Sequence, residues 1–276
     1  MKLMPRILVG MGLMVALKTT NAWADQPWSW VNVDFNHDPT NTAPPTSAPS
    51  VGVLTTNLRA FVDGTNGNTT LVQSHLGDTV HGLNDQPVVI THTNGGTTSY
   101  VSIYMSSSLG AGTLPTSGTV RVQWDYVSAA SAYWGADMSL RRGATGNYQA
   151  LLSIQDQNSG KDLSIQGGGG SLVFTSALNY GYATHFDALL NLSGNSFTLS
   201  FSNALTSGSY SDIFQNTNWV TELGYFYAGI STTRVATFGL DNIVIVPEPR
   251  AAELALMALG VGFVLTGFRG SRREAA

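Results

Sequence analysis

Residues 119–126 read Thr-Val-Arg-Val-Gln-Trp-Asp-Tyr, with Val120, Val122, Trp124 and Tyr126 alternating against Thr119, Arg121, Gln123 and Asp125. A period of two sends successive side chains to opposite faces, so the stretch predicts a strand with one buried and one wet face. Such strands belong to antiparallel sheets, because parallel sheets are covered on both sides. The same reading sends Trp124 into the core. The pattern recurs in both directions along the chain. Phe197, Leu199 and Phe201 alternate with Thr198, Ser200 and Ser202, and Val31, Val33 and Phe35 with Asn32 and Asp34. Further runs group Val101, Ile103 and Met105, then Tyr148, Ala150, Leu152 and Ile154, then Phe186, Ala188, Leu190 and Leu192.

Turn residues fall between these runs: Asp63-Gly64, Asn66-Gly67, Asn94-Gly95-Gly96, Ser159-Gly160, Gly167 to Gly170 and Ser193-Gly194-Asn195. Gly, Asn and Asp there tolerate the backbone angles that hairpins need. Leu190 to Phe197 is the clearest hairpin. No helical period is sustained between residues 25 and 245, and no repeat recurs at solenoid or propeller spacing. Roughly a dozen strands predict an all-β domain over residues 25–245, a two-sheet antiparallel jelly-roll sandwich. The Pro-rich segment 38–50 reads as a loop crossing one end. Residues 206–219 lack alternation and read as a loop with a short helical turn.

Composition narrows the function classes. Charged residues are 11% of the 276-residue chain, against ~25% in typical soluble domains. Ser, Thr, Asn, Gln and Gly take their place, a profile of β surfaces outside the cytoplasm. The absence of cysteine excludes a disulfide framework, an iron–sulfur centre, a thiolate zinc site and a thiol nucleophile. Residues 25–246 hold six basic against fourteen acidic residues, a balance of −8, which argues against a nucleic-acid partner.

Both ends read differently from the middle. Lys2 and Arg6 precede an 11-residue apolar run, Ile7 to Leu17, and Ala22 and Ala24 occupy the small-residue positions before a cleavage site at Asp25. Residues 1–24 are therefore expected to be a secretory signal peptide. At the other end Pro247-Glu248-Pro249 precedes Ala251 to Phe268, 18 mostly apolar residues, and then Arg269, Arg272 and Arg273. That length sits at the lower edge of a membrane span, with the arginines on the cytoplasmic side. The prolines separate strand from helix. Glu253 falls inside the start of this helix and Glu274 follows the basic cluster.

This tripartite tail, residues 246–273, resembles the PEP-CTERM protein-sorting signal of Gram-negative bacteria. The resemblance implies processing by an exosortase, a membrane transpeptidase-like enzyme, after transient anchoring in the inner membrane. It also implies a destination at the cell surface or in an extracellular polysaccharide matrix. Residues 185–204, HFDALLNLSGNSFTLSFSNA, and 238–246, FGLDNIVIV, resemble the late hairpin and final strand of concanavalin A-like, laminin-G-like jelly rolls. Domains of that kind commonly bind carbohydrate and often hold calcium.

Candidate sites follow from residue chemistry. Tyr133, Trp134 and Trp219 lie at strand edges or in loops, as do Trp28 and Trp30, where a ring could stack on a sugar. Equally, such rings could plug the open ends of a sandwich. Asp34, Asn36 and Asp38 alternate near the first strand, and Asp241-Asn242 opens the last. If those strands are neighbours, the oxygens suit calcium, which takes six to eight. The alternative is that they are wet-face and turn residues. No other cofactor is expected. Glycoside hydrolysis usually needs two carboxyl groups, and residues 25–246 offer a single Glu, Glu222. The E-x-D-x-x-E run of laminarinase-like jelly rolls is absent, which leaves an Asp pair among Asp156, Asp162 and Asp187. The histidines (His37, His75, His81, His92 and His185) form no zinc motif, and Gly167 to Gly170 lacks the Lys of a phosphate loop. The expectation is a non-catalytic, exported, exosortase-sorted protein that binds extracellular polysaccharide. A jelly-roll hydrolase or lyase, or a purely structural surface protein, are the alternatives.

Overall fold

The computed structural model describes residues 31–33, 57–61, 69–72, 83, 86–93, 99–104, 117–131, 134–142, 149–157, 161–178, 182–215, 223–230 and 234–247. All fall within a compact unit, Trp28–Pro247. The signal segment with Ala22, Ala24 and Asp25, and the tail from Glu248 through Pro249 to Arg269, Arg272 and Arg273, lie outside the described residues.

Fifteen strands are described, with no helix among the described residues. In chain order they are β1 Val31–Val33, β2 Asn57–Phe61, β3 Thr69–Val72, β4 Val88–His92, β5 Ser99–Tyr104 and β6 Thr119–Ser131. Then come β7 Trp134–Arg141, β8 Ala150–Gln157, β9 Asp162–Gln166, β10 Ser171–Phe174 and β11 Thr184–Asn191. The last four are β12 Ser196–Ser202, β13 Ser207–Ile213, β14 Tyr225–Ile230 and β15 Ala236–Pro247. They form an eight-stranded sheet, β13-β12-β11-β6-β15-β4-β3 with β1 also on β15, and a seven-stranded sheet, β10-β9-β8-β7-β14-β5-β2. Every pairing is antiparallel. The two-sheet sandwich expected from alternation is the fold observed, and the first described strand does lie beside the last.

The core is the set of inward positions of the two sheets. Val120, Val122, Trp124 and Tyr126 of β6 are all 0–1% exposed, and so are Phe186, Ala188 and Leu190 of β11. From the other sheet come Met138, Leu140, Leu152, Ile154, Phe226 and Ala228. Trp124 stacks on Phe186 at 5.0 Å and meets Phe226 across the sheets at 5.2 Å. Burying each large apolar side chain contributes on the order of 1.5–3 kcal/mol, and these rings fix the two sheets face to face. The β11–β12 hairpin closes as expected, with Asn195 at a left-handed φ of 51°.

Two expectations are corrected. Residues 207–213 are not a loop with a helical turn but the edge strand β13. Its inward positions are Gly208, Tyr210 and Asp212, so no apolar alternation marks it in the sequence. Its ladder to β12 holds it instead, together with a Thr198–Ser211 hydroxyl bond of 2.8 Å. Likewise, Asp241-Asn242 does not open the last strand. It sits mid-strand in β15 at a bulge against β6, with Asn242 at φ 51°.

The four-glycine run joins β9 to β10 and wraps the carboxylate of Asp212. Gly169 N–H donates to Asp212 Oδ2 at 3.0 Å, Tyr210 O–H donates to the same atom at 2.8 Å, and Ile213 N–H donates to Oδ1. Slight burial would raise the Asp212 pKa, but these donors outweigh it and hold the group below its usual range. A Cβ on Gly167 or Gly169 would lie 2.4 or 2.5 Å from an Asp212 oxygen. The run is thus an anion cradle filled by the protein's own side chain.

Candidate functional site

Alternation on the seven-stranded sheet sends Met138, Leu140, Phe226, Ala228, Val101 and Ile103 inward. Their neighbours therefore face outward: Asp137, Ser139 and Arg141 on β7, Tyr225, Tyr227 and Gly229 on β14, Tyr100 and Ser102 on β5. Register sets them in rows. Tyr227 lies between Ser139 and Ser102, and Gly229 between Asp137 and Tyr100. The residues around Tyr227 on this face are small, but Ser102, Ser139 and Gly229 are buried, as is Tyr225, so that Tyr100 and Tyr227 are the partly accessible rings of the row.

The rings of Tyr100 and Tyr227 are 5.4 Å apart at 31°, and both are half-buried, whereas Tyr225 is buried. The Arg141 guanidinium covers the Tyr227 ring at 3.7 Å, and its Nε–H donates to Ser139 Oγ at 2.6 Å. On the far side, Gln155 Nε2–H donates to Asp137 Oδ1 at 2.7 Å, Gln157 Nε2–H donates to Gln155 Oε1 at 2.8 Å, and Arg234 pairs with Asp137 at 2.7 Å. Burial pushes the Tyr227 phenol up to about 12, with Arg141 opposing and Asp137, Tyr100 and Tyr225 reinforcing. At neutral pH it is therefore a neutral hydroxyl on an apolar ring. The two tilted rings, Tyr227 covered on one side by Arg141, offer partly accessible apolar carbons bordered by amide, carboxylate, guanidinium and hydroxyl groups, the mix of surfaces that sugar sites use.

A second polar group lies between the sheets. Asp156, inward on β8, is fully buried; Tyr126 of the opposite sheet donates its O–H to Oδ2 at 2.5 Å, while Oδ1 makes no hydrogen bond. Burial raises its pKa to about 6, against the pull of the Tyr126 and Ser128 hydroxyls, and nearby Asp162 adds to the rise. The Tyr126 phenol is in turn pushed well above its usual value, chiefly by burial. Gly135 lies directly on the carboxyl: a Cβ there would be 2.2 Å from Oδ2.

The residues singled out in the sequence fall unevenly on this frame. The backbone of Trp134 starts β7 opposite Gln157, beside the tyrosine face, while Tyr133 and Trp219 lie outside the described residues. Asp34, Asn36 and Asp38 also lie outside them. Asp241 is fully buried and stands opposite Asp125, and its Oδ1 accepts the Asn242 N–H at 2.8 Å. Among the described residues no group of three or more His, Asp or Glu side chains is placed to hold a metal. Of the three aspartates weighed as a catalytic pair, Asp156 and Asp162 are neighbours. Asp187 is on the outer face of the other sheet, gripped by Arg121 at 2.9 to 3.2 Å. There His185 and Asn242 both bond Asp125.

Sequence reasoning missed the tyrosine face because Tyr-Phe-Tyr at 225–227 is aromatic on both sides of the strand, so the outward pair reads as core. The local signal was Gly229, since a glycine inside a strand often marks a place of close approach, and Gly229 is buried.

No family model matches the chain, and no curated protein matches it. Some solved structures are similar to the chain at low identity. Lectin II from Ulex europaeus is 9% identical with a TM-score of 0.44, over 70% of this chain and 98% of that one. A GH131 beta-glucanase catalytic domain from Podospora anserina is 10% identical with a TM-score of 0.41, over 78% and 87%. A carbohydrate esterase from the Shiga toxin-encoding bacteriophage phi24B is 11% identical with a TM-score of 0.45, over 70% and 90%. The neighbours are thus lectin-like and jelly-roll proteins, and the likeness concerns the fold alone.

Proposed function

We propose that this is an exported protein of the cell surface or extracellular matrix whose sandwich binds polysaccharide without cleaving it. The observation that carries the reading is the Tyr100–Tyr227 pair on an outer sheet face, rimmed by Asp137, Gln155 and Arg141. Export rests on the signal-like residues 1–24. Processing by an exosortase, following a membrane-anchored stage, rests on the Pro247-Glu248-Pro249 tail. Non-catalytic binding is supported by the placement of Asp156, which has a strongly raised pKa but is sealed between the sheets, where no sugar reaches it.

Affinity electrophoresis of the secreted protein in gels carrying neutral and acidic polysaccharides tests the binding. At least one polymer should retard it, and Tyr227→Ala should weaken that retardation about tenfold, roughly the 1.4 kcal/mol expected of one stacked ring. Retardation unchanged by Tyr227→Ala would refute the assignment of the face. Release of reducing ends from a bound polymer would shift the reading to a hydrolase. Mass spectrometry of the secreted form should show a C-terminus short of Ala276.

A further inference from the structure

We propose that β13 is the contact strand of a two-fold dimer, pairing antiparallel with the β13 of a second copy about Ser209. β13 ends its sheet, and no described strand lies beyond it. Its seven residues pair with β12 without a register shift, whereas the other described sheet ends, β2, β3 and β10, are four or five residues long. The phase of the ladder says which backbone groups are used. Phe214 N–H donates to Asn195 C=O and Asn203 N–H donates to Thr206 C=O, both at 2.9 Å. In an antiparallel pair the bonded positions alternate. The even-numbered residues of β13 therefore bond β12, and the odd-numbered ones aim N–H and C=O outward. At Ile213 both groups are taken: its C=O accepts Gly168 N–H at 2.8 Å, and its N–H donates to Asp212 Oδ1 at 2.8 Å. Ser207, Ser209 and Ser211 remain as an open row of donors and acceptors.

The row matches itself. A two-fold axis through Ser209, perpendicular to the sheet, sets Ser209 against its own mate and Ser207 against Ser211 of the second copy. Every open N–H then meets a C=O. The same axis brings Leu205 of each copy to the Ile213 end of the other, and these side chains are 59% and 49% exposed. Proteins guard exposed edges with lysine, proline, bulges or an inward charge. β13 reads Ser-Gly-Ser-Tyr-Ser-Asp-Ile, without lysine, proline or bulge, and its inward charge, Asp212, is occupied by Gly169 and Tyr210. Outward side chains on β12 and β13 are serine or threonine apart from Ile213, so two copies of an acidic chain meet here without opposing like charges. One strand pair covers less than the ~1,600 Å² of a standard interface, which makes the dimer weak and concentration-dependent. Because the axis is perpendicular to the sheet, both tyrosine faces look the same way. On the polysaccharide-binding reading one polymer then meets two sites; the dimer itself does not depend on that reading.

Sedimentation velocity of the secreted protein over a concentration series tests this. The wild type should pass from monomer to dimer between about 1 and 100 μM, the range of small transient interfaces. Ser209 is exposed and faces its own mate, so Ser209→Lys and Ser209→Asp should each weaken the dimer about tenfold at low salt. An equimolar mixture of the two variants should restore it. Circular dichroism checks that each variant is folded. Ser209→Cys should crosslink to itself on oxidation, since bonded pairs set Cα atoms about 5.5 Å apart, and the chain holds no other thiol. Ser207→Cys, which the axis sets opposite Ser211, should not. A wild type that stays monomeric throughout the series, a dimer unchanged in the folded charge variants, or a mixture no tighter than its components would overturn the inference. So would crosslinking through position 207 but not 209. The wild-type series and the Ser209→Cys crosslink stand even if a charge variant fails to fold.

Discussion

Asp156→Asn should remove a pH-dependent penalty from the centre of the sandwich. The carboxyl titrates near 6 in the folded protein against 3.8 for the free group, because burial disfavours its charge. The sign follows from linkage. Below about pH 3.8 both states are protonated and the fold pays nothing. Between 3.8 and 6 the unfolded chain ionises while the folded one stays protonated, so stability falls as pH rises. Above 6 both are ionised, and the native state carries the full cost. A difference of about two units at 1.36 kcal/mol each sets that cost near 3 kcal/mol. Asparagine keeps the shape, accepts the Tyr126 hydroxyl through its carbonyl and never ionises.

The assay is urea unfolding of wild type and variant at half-unit steps from pH 4 to 8. At pH 4 the two should agree within about 1 kcal/mol, since a protonated acid and an amide pose similar demands at Oδ1. At pH 8 the variant should be more stable by about 3 kcal/mol, or about 6–12 °C in Tm for a domain of this size. Carboxyls elsewhere titrate in both proteins and cancel in the difference. Parallel stability curves across that range would refute the reasoning.

Three further substitutions probe the packing. Gly135→Ala places a Cβ 2.2 Å from Asp156 Oδ2 and 2.9 Å from its Cβ, so rotation of the acid alone cannot make room; a loss of about 3 kcal/mol is expected. Adding Asp156→Ala should recover more than 1 kcal/mol of it, because the two sites share one contact. Gly168→Ala meets a backbone atom, the Phe214 carbonyl oxygen at 2.3 Å, and should break the 2.8 Å bond from Gly168 N–H to Ile213 C=O; hydrogen exchange at that amide reads it directly. Arg121→Gln removes a bidentate but half-exposed pair with Asp187, and should cost under about 1 kcal/mol, shrinking further in salt.

The fold was legible because its core strands obey one rule. Val120 to Tyr126 and Phe186 to Leu190 alternate cleanly, since each has a single buried face, and a period of two on that scale has no competing explanation. Legibility failed wherever that rule was broken by chemistry that periodicity does not record. β13 turns Gly208, Tyr210 and Asp212 inward and only partly buries them, so nothing apolar repeats, and the carboxylate that holds the glycine run in place is 43 residues from Gly169 in sequence. Asp156 breaks the inward pattern of Leu152 and Ile154 with a charge-bearing group, and in the sequence it is one of three aspartates that could form a catalytic pair. Only the pairing of β7 with β8, and of Tyr126 across the sheets, turns it into an interior hydrogen-bonded one. The tyrosine face illustrates the same principle from outside. Its members come from β5, β7, β8 and β14, each contributing two or three outward residues that mean little on their own strand. A site assembled one row at a time across a sheet is a property of register, and register is set by the hairpins and bulges that decide which strands become neighbours. The aromatic residues nearest to turns attract attention in a linear reading. On this sheet the ones that meet each other, Tyr100 and Tyr227, stand within strands.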